Sequence, residues 1–478
     1  MTTRVVWFRR DLRLNDHTAL AQAINDSDND DQLLLLFHIH PDLNKEFNAT
    51  HDYFFQTLQS LVTDAQEKNI PIHFIEGTVT DAFTELLNHR NVDAIYFNKD
   101  ESGFGKQRDD EFMEEVKDKD VEVCSFIDHH MHGAEEISKK TGGYYKVFTP
   151  YYKQWKQYQK PNIQKVDHEK LTKLAIDETS SFKDGNKAYD SLIDKTARDF
   201  DAVGEKAAWD RFETFVEDAI YDYEDERDFP AVDGTSQMSR FLRTGAISIR
   251  SMYHYIDDQV DYRKNTEGVE TYISELAWRD FYNMIYHFYP EAKNKEMVEK
   301  YRGLPWNNDD ELFEAWKKGQ TGFPIIDAAM RQLNETGWMH NRLRMAVASF
   351  LTKDLLMDWR KGERYFAEQL IDYDPASNIG GWQWAASTGT DPVPYFRVFN
   401  PTRQSERFDP HGRFIKEWVP ELENVPKKSI HDPSQLSEED QKEAKCVIGE
   451  DYPKPIVDHK TMRERAIEMF KDQKDGSS

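Results

Sequence analysis

Cysteine is nearly absent. Only Cys124 and Cys446 occur in 478 residues, with no metal-ligand spacing and too few for a disulfide framework. A zinc module and a disulfide-stapled secreted domain are excluded, and a reducing compartment is expected. Long apolar runs are also missing: nothing reaches the roughly 18 residues that a spanning helix needs. No basic-then-apolar leader opens the chain, so the expectation is a cytoplasmic protein without membrane contact. No Gly-x-Gly-x-x-Gly follows the first apolar run, so that dinucleotide fingerprint is lacking. Positive charge is scarce. Lys and Arg number 62 against 88 Asp and Glu, a formal net charge of -26, which argues against a surface wrapped in nucleic acid. The average conceals an exception, because residues 331–420 hold twelve Lys and Arg against eleven Asp and Glu. The acid lies in runs such as NDSDNDD (25–31) and EDAIYDYEDERD (217–228), which read as a solvated coat.

Aromatic side chains are plentiful: 29 Phe, 22 Tyr and 11 Trp, enough for large cores and more. The first 130 residues carry five short apolar runs, RVVWF (4–8), LLLLFHI (33–39), IPIHFIEG (70–77), VDAIYFN (92–98) and VEVCSFI (121–127). They are continuous rather than alternating, as strands buried on both faces should be. The intervals leave room for crossover helices, which predicts a doubly wound parallel sheet. Residues 131–200 are polar and irregular and read as a linker. From 201 to 478 the period is helical, with Trp209, Phe212, Val216, Ala219 and Tyr223 on one stripe of 206–223, and further helices over 321–333 and 342–356. The fold class is therefore an α/β domain over 1–130, a linker over 131–200 and an all-α domain over 201–478.

Several residues do not look like core. Over 271–288, Ile273, Ala277, Phe281, Met284 and Phe288 form an apolar stripe, while Glu275, Trp278, Arg279 and Tyr282 form a second face. That face is either a surface Glu–Arg pair beside a half-buried ring or a binding surface with a carboxylate, a flat ring and a guanidinium. Thr235, Ser236 and Ser239 stand near a helix start, where hydroxyls either cap the helix or hold phosphate. Asn341 and Met345 share a face four residues apart, and Arg344 points elsewhere. Asp372 and Asp374 suit a metal pair, a loop cap or a partner for Arg; no His or third carboxylate has ligand spacing, so metal is discounted. GGWQWAASTGTD (380–391) sets Trp382 and Trp384 two apart, about 200° around a helix, so the two rings face different neighbours.

Read together, ELAWRDFY (275–282), TGFPIIDAAMRQL (321–333), GWMHNRLRMAVASFLTKDLL (337–356), WRKGERYF (359–366), NIGGWQWAASTGTDPVPYFRVFNP (378–401) and WVPEL (418–422) closely resemble the photolyase/cryptochrome family. The resemblance extends to VVWFRRDLRLNDHTAL (5–20), YKVFTP (145–150) and RDFPAVDGTS (227–236), and so covers nearly the whole chain. Within the family it is strongest to the class I photolyases that act on cyclobutane pyrimidine dimers. A cryptochrome-type blue-light photoreceptor and a (6-4) photoproduct photolyase are the alternatives.

The resemblance implies non-covalent FAD in the helical domain. Tyr223, Thr235, Ser236, Gln237, Met238 and Ser239 match positions around the pyrophosphate. Tyr272, Arg279, Arg344, Asp372, Tyr373 and Asp374 match positions lining the flavin, and Asn378 matches the residue facing flavin N5. Trp382, Trp359 and Trp306 match a chain of tryptophans that carries an electron from the surface. Trp384 and Trp278 match an aromatic wall for a lesion flipped out of the duplex, with Glu275 holding a base edge. Asn341, Arg342 and Met345 match neighbouring substrate contacts, Arg279 and Tyr282 border them, and Arg227, Arg342, Arg397 and Gln404 match residues that grip DNA. The implied reaction is light-driven electron transfer to the dimer and back, by a monomer. An antenna chromophore also belongs to the resemblance, methenyltetrahydrofolate first. Here the chain departs from the pattern, with Phe104-Gly105 where folate-carrying relatives have Asn-Glu. A deazaflavin, a second flavin or no antenna are the alternatives.

Overall fold

The computed structural model describes residues 2–44, 47–178 and 181–475. The chain divides into two compact units, one of Met1–Tyr221 with Ser236–Pro290 and the other of Asp222–Thr235 with Glu291–Ser478.

In the first unit the five apolar runs are five strands: β1 (Thr3–Phe8), β2 (Gln32–Ile39), β3 (Ile72–Glu76), β4 (Ala94–Asn98) and β5 (Glu122–Phe126). All neighbours are parallel, in the order β3-β2-β1-β4-β5. Val5 of β1 lies opposite Leu34 of β2 and Ile95 of β4. The runs are continuous because both faces are covered. Val6, Phe8, Leu33 and Leu35 enter one core with helices Thr18–Asn25 and Ala49–Glu67; Val5, Trp7, Leu34 and Ile95 enter another with helices Val79–His89 and Gly103–Val116. β5 departs from the expectation, since Glu122 and Ser125 are exposed. It is an edge strand with one partner, and exposed polar side chains there discourage further pairing. The opposite edge is covered: helix Lys183–Ile193 lies so close to β3 that a Cβ on Gly185 would overlap the Phe74 carbonyl.

Residues 131–200 hold more regular structure than the irregular segment expected, namely helices Phe148–Trp155, His168–Leu174 and Lys183–Ile193. In the first, Phe148, Tyr151 and Trp155 recur at helical spacing and are all buried, so apolar burial overrides the turn-forming residues around them. Helices Gly204–Asp218, Ile249–Gln259 and Glu267–Phe288 complete this unit. The stripe expected over 206–223 is cut short, because Ala219 and Ile220 both close back on the Phe215 carbonyl. Tyr223 opens a separate turn in the second unit.

The second unit is built on helices. Pro324, Pro375 and Pro401 each sit in the first turn of one, where the missing N–H costs nothing. Helix Asn341–Ser349 runs into a single wider π turn over Phe350–Asp354 rather than continuing as one α-helix. No helix among the described residues is long and apolar enough to cross a membrane.

Candidate functional site

In the second unit, Asp374 starts helix Pro375–Ala385 by accepting from the Ser377 N–H at 2.9 Å. One turn on, Asn378 Nδ2 donates to Glu363 Oε1 at 3.1 Å and to the Glu363 carbonyl at 3.2 Å. Tyr373 also donates to Glu363 Oε1, at 3.0 Å. Glu363 is buried, and burial pushes its carboxyl above the usual range. With the amide nitrogen committed to Glu363, the end of Asn378 left to accept a hydrogen bond is Oδ1. Arg344 donates to Asp372 Oδ2 at 2.7 Å and to the Met339 carbonyl at 2.8 Å. Asp372 is buried, and its Oδ1 has no protein donor. Among the described residues no group of three or more His, Cys, Asp or Glu could hold a metal.

The paired tryptophans of this helix separate as their spacing predicts. Trp382 is buried, edge-on to Phe366 at 5.0 Å and to Trp316 at 6.1 Å. A Cβ on Gly362 would overlap its indole, so that position has no room for a side chain. Trp384 is half-buried near Phe399. Trp359 is fully buried, with Nε1 3.4 Å from Glu296 Oε1. Trp306 is half-buried and packs with Tyr301, Leu304 and Phe470.

Asn341 and Met345 meet on one face of their helix, Nδ2 to Sδ 3.8 Å. His340 lies just before that helix and caps it, Nδ1 accepting from the Arg342 N–H at 3.2 Å. Burial pushes its imidazole down to about 4, so it is neutral. Arg342 is clamped by Asp228, with Nη2 2.6 Å from both carboxylate oxygens, and lies over the Phe408 ring at 4.4 Å. Arg227 sits over the Tyr223 ring at 5.4 Å. Arg397 is exposed, Thr235 is half-buried, and Gln404 holds a buried Oε1 without a protein donor.

In the first unit, helix Glu267–Phe288 presents Glu275, Trp278, Arg279 and Tyr282 on one half-buried side. Trp278 lies flat against Phe148, centroids 3.7 Å apart and planes 9° off parallel, with Tyr282 next at 5.5 Å. Tyr152 continues the stack beyond Phe148 at 5.5 Å. Arg279 donates to the carbonyls of His129 and Leu242. Asp280, directed the other way, accepts from Trp155 Nε1 at 2.8 Å and from the Met131 and His132 N–H groups. It anchors the helix under the ring stack. The apolar stripe expected here holds at Ala277, Phe281 and Met284, but Ile273 is half-buried and Phe288 is exposed, stacked on Tyr144. Ser236 accepts from Tyr272 Oη at 3.0 Å and from the Met238 N–H at 3.3 Å. Gln237 takes a left-handed φ of 55°. Ser239 begins helix Ser239–Thr244, whose N-cap residue Met238 makes no side-chain cap.

Residues 4–169 match the family model described as DNA photolyase, and residues 272–472 match that of the FAD binding domain of DNA photolyase. The chain belongs to the DNA photolyase family. It is 44% identical to the deoxyribodipyrimidine photo-lyase of Alkalihalophilus pseudofirmus over 470 residues, 98% of each chain. The crystal structure of a bacterial class III photolyase from Agrobacterium tumefaciens superposes with a TM-score of 0.87 at 31% identity, covering 99% of this chain and 98% of that one. The archaeal photolyase from Sulfolobus tokodaii, solved with two FAD molecules, superposes with a TM-score of 0.83 at 31% identity, covering 98% and 100%.

The residues present fit the FAD of a photolyase. Asp372 Oδ1 is a buried acceptor without a protein donor, Arg344 supplies a fixed positive charge beside it, and Asn378 offers an oriented carbonyl oxygen. Glu363, Asp228, Phe148 and Asp280 were not singled out from sequence. Glu363 lies within WRKGERYF, Asp228 within RDFPAVDGTS, Phe148 within YKVFTP and Asp280 within ELAWRDFY, so the motifs contained them without revealing what each touches. In the photolyase sheet unit, a Cβ on Gly105 would overlap Asp100, which Arg10 and Arg108 hold. An acidic side chain at 105 therefore has no room, and the neighbouring Phe104 is exposed, its ring 5.2 Å from His40.

Proposed function

We propose that the chain repairs cyclobutane pyrimidine dimers in DNA by light-driven electron transfer, acting as a monomer in the cytoplasm. The reading rests on Asn378. Its amide, turned by Glu363, offers Oδ1 as an acceptor, which suits a flavin kept reduced for repair. The chemistry that FAD would supply here, bound in its reduced, anionic form, is light-driven electron donation to the dimer with return of the electron, without net redox change.

The chain's own residues bind, orient and screen. Tyr223, Thr235, Ser236, Gln237, Met238, Ser239 and Tyr272 hold the cofactor. Arg279, Arg344, Asp372, Tyr373, Asp374 and Asn378 surround its ring, where the Arg344 charge favours the anionic form. Trp306, Trp359 and Trp382 carry electrons inward, a role supported by their gradient from half-exposed to buried. Trp278 and Trp384 give the flipped dimer a flat apolar wall. Glu275 accepts from a base N3–H and stabilises charge as it develops. Asn341, Arg342, Met345 and Tyr282 border the lesion, and Arg227, Arg397 and Gln404 hold the strand. The Arg342–Asp228 clamp supports a positioned contact rather than a free phosphate grip.

The lesion follows from chemistry. Repair of a (6-4) photoproduct moves a hydroxyl group between bases and needs a proton donor. The face of Asn341 and Met345 offers an amide and a thioether, and the neighbouring imidazole of His340 is buried and tied to its helix start. Ring opening of a cyclobutane dimer needs only an electron. A defined oligonucleotide carrying each lesion, incubated with reduced enzyme under blue light, tests this. Repair of the cyclobutane dimer alone is expected; repair of the (6-4) lesion alone would overturn it. The absorption spectrum of the same preparation identifies the antenna, for which folate, deazaflavin and a second flavin have distinct bands.

A further inference from the structure

We propose that Glu296 is a positioning residue of the electron path: its buried carboxylate holds the positive charge that Trp359 carries while an electron passes through it. The proposal rests on the reading of Trp306, Trp359 and Trp382 as that path. Glu296 lies outside every motif that carries the family resemblance.

Trp359 and Glu296 are both buried, and Trp359 Nε1 donates to Glu296 Oε1 at 3.4 Å. A carboxylate is rarely buried unless it is paired, and here the partner is shared. Arg360 Nη2 lies 2.8 Å from Glu296 Oε2, while Nη1 lies 3.0 and 3.1 Å from the two oxygens of Asp358. One guanidinium between two carboxylates leaves a net charge of -1 beside the indole. Two features disfavour a positive charge on that ring. The guanidinium carbon is 4.8 Å from its centroid, and Trp359 opens helix Trp359–Gln369, where the helix dipole is positive. The carboxylates offset both.

The backbone around Glu296 is held from several sides. Gln383 stands between the two diverging tryptophans of helix Pro375–Ala385 and is fully buried. Its Nε2 donates to the carbonyls of Ala292 and Lys295 at 2.7 and 3.0 Å, and its Oε1 accepts from the Met297 N–H at 3.0 Å. Arg302 Nε donates to the Glu296 carbonyl at 3.0 Å. The Val298 N–H donates to the Thr388 carbonyl at 2.9 Å. The segment 292–298 is thereby pinned to the helix that carries Trp382, and the carboxylate faces Trp359 before any charge develops. A buried ion pair is weak evidence for stability, because apolar groups of the same volume often serve as well. A carboxylate preset against a transient positive charge is an arrangement that speeds charge transfer.

The electrons balance as follows. The acceptor is light-excited, oxidised FAD, and the final donor is an added thiol that ends as a disulfide, its protons passing to solvent. Trp382 gives an electron to the acceptor and takes one from Trp359. Trp359 takes one from Trp306, which the thiol restores. No bond to hydrogen breaks at Trp359: Nε1–H stays whole, and its hydrogen bond to Glu296 becomes charge-assisted and shorter. Opposite charges this close attract strongly away from water, so the positive charge rests on Trp359 rather than returning to Trp382.

The test uses the FAD-loaded protein with Glu296→Gln and the charge-retaining Glu296→Asp, each in a Trp306→Phe background that stops the charge at Trp359. Flash absorption follows the tryptophan radical, whose cationic and neutral forms have distinct visible bands, and urea midpoints follow stability separately. Trp306→Phe alone should show a cationic radical. Adding Glu296→Gln should shorten its life at least about tenfold, because the charge returns to Trp382 and recombines, while adding Glu296→Asp should change it by less than about threefold. An unchanged lifetime with Glu296→Gln, equal losses in the two variants, or a neutral radical in Trp306→Phe would each overturn the role of Glu296 while leaving the path intact. If Glu296→Gln does not bind FAD, the Trp306→Phe protein decides. Its light-induced infrared difference spectrum should contain a carboxylate band that shifts and recovers with the radical and is displaced in Glu296→Asp; a spectrum without that band would remove Glu296 from the path. No tryptophan radical in the wild-type protein would sink the electron-path reading and this proposal with it.

Discussion

At Asn378, two oxygens of Glu363 decide which end of an amide faces outward. A carboxylate and a main-chain carbonyl take the NH₂ group, so the acceptor end is the one presented. Asn378→Asp replaces that dipole with a negative charge and should speed air oxidation of reduced flavin roughly tenfold, about 1.4 kcal/mol in the barrier. Glu363→Gln, which offers an NH₂ of its own, should loosen the orientation and give a smaller change in the same direction, with FAD still bound. Flavin absorbance followed in air checks both, and wild-type rates in Asn378→Asp would remove that residue from the ring. At Trp306 the argument concerns exposure. It is the half-exposed member of the three tryptophans, so on the proposed path it is where an external reductant would deliver electrons. Trp306→Phe should block photoreduction of oxidised FAD, while chemically reduced enzyme still repairs. Normal photoreduction in that variant would exclude Trp306 from the path.

Helix Glu267–Phe288 has its proposed lesion-binding side and its anchoring side on opposite faces. Asp280 accepts three N–H groups beneath it, and Trp278 above lies flat on Phe148. Phe148→Leu nearly conserves volume and should cost under about 1.5 kcal/mol of stability. It removes the parallel backing of Trp278, worth about 0.5–1.5 kcal/mol. The dissociation constant of a dimer oligonucleotide should therefore rise roughly two- to tenfold, with Phe148→Tyr close to wild type. A urea midpoint shift without change in dimer affinity would leave Phe148 a core residue only. Elements of this kind were legible in sequence to different degrees. The five strands and the helices with proline starts were plain, because burial on two faces and a missing N–H leave local marks. The divergence of Trp382 and Trp384 followed from helical spacing, and the motifs carried the expectation of which residues meet flavin and lesion. The contacts of Glu363, Asp228, Phe148 and Asp280 were not legible, since each acts on a partner brought near by the fold. The helix at 148–155 was hidden by turn-forming neighbours, and the edge position of β5 by an apolar composition that does not reveal it.

Across the whole molecule, two electrostatic effects compete as the solution is acidified. The net charge of -26 means self-repulsion, which protonation of surface carboxylates relieves. Buried groups oppose this. Burial pushes His38 and His340 down to about 4 and His129 to about 3. A histidine with a lowered folded pKa contributes stability that is complete above its unfolded value near 6.5. That stability is lost as pH falls toward the folded value, because the unfolded chain takes up the proton first. Each such group loses about 2 kcal/mol between pH 7 and pH 5. Asp280 and Asp354, pushed up to about 6 by burial, have the opposite sign. Their folded carboxyls bind protons first, and each regains about 1.4 kcal/mol over the same interval. Over these five groups the histidines are more numerous and shift further, so their loss exceeds the carboxyl gain by about 3 kcal/mol at pH 5. Salt separates the two effects, since exposed charges are screened beyond about 3 Å at 1 M while buried groups are not. Urea midpoints in 1 M salt should therefore fall steadily from pH 7 to pH 5, and fall less in low salt, where relief of repulsion offsets part of the loss. A midpoint in high salt that holds or rises over that interval would show that these histidines are not kept neutral by the fold.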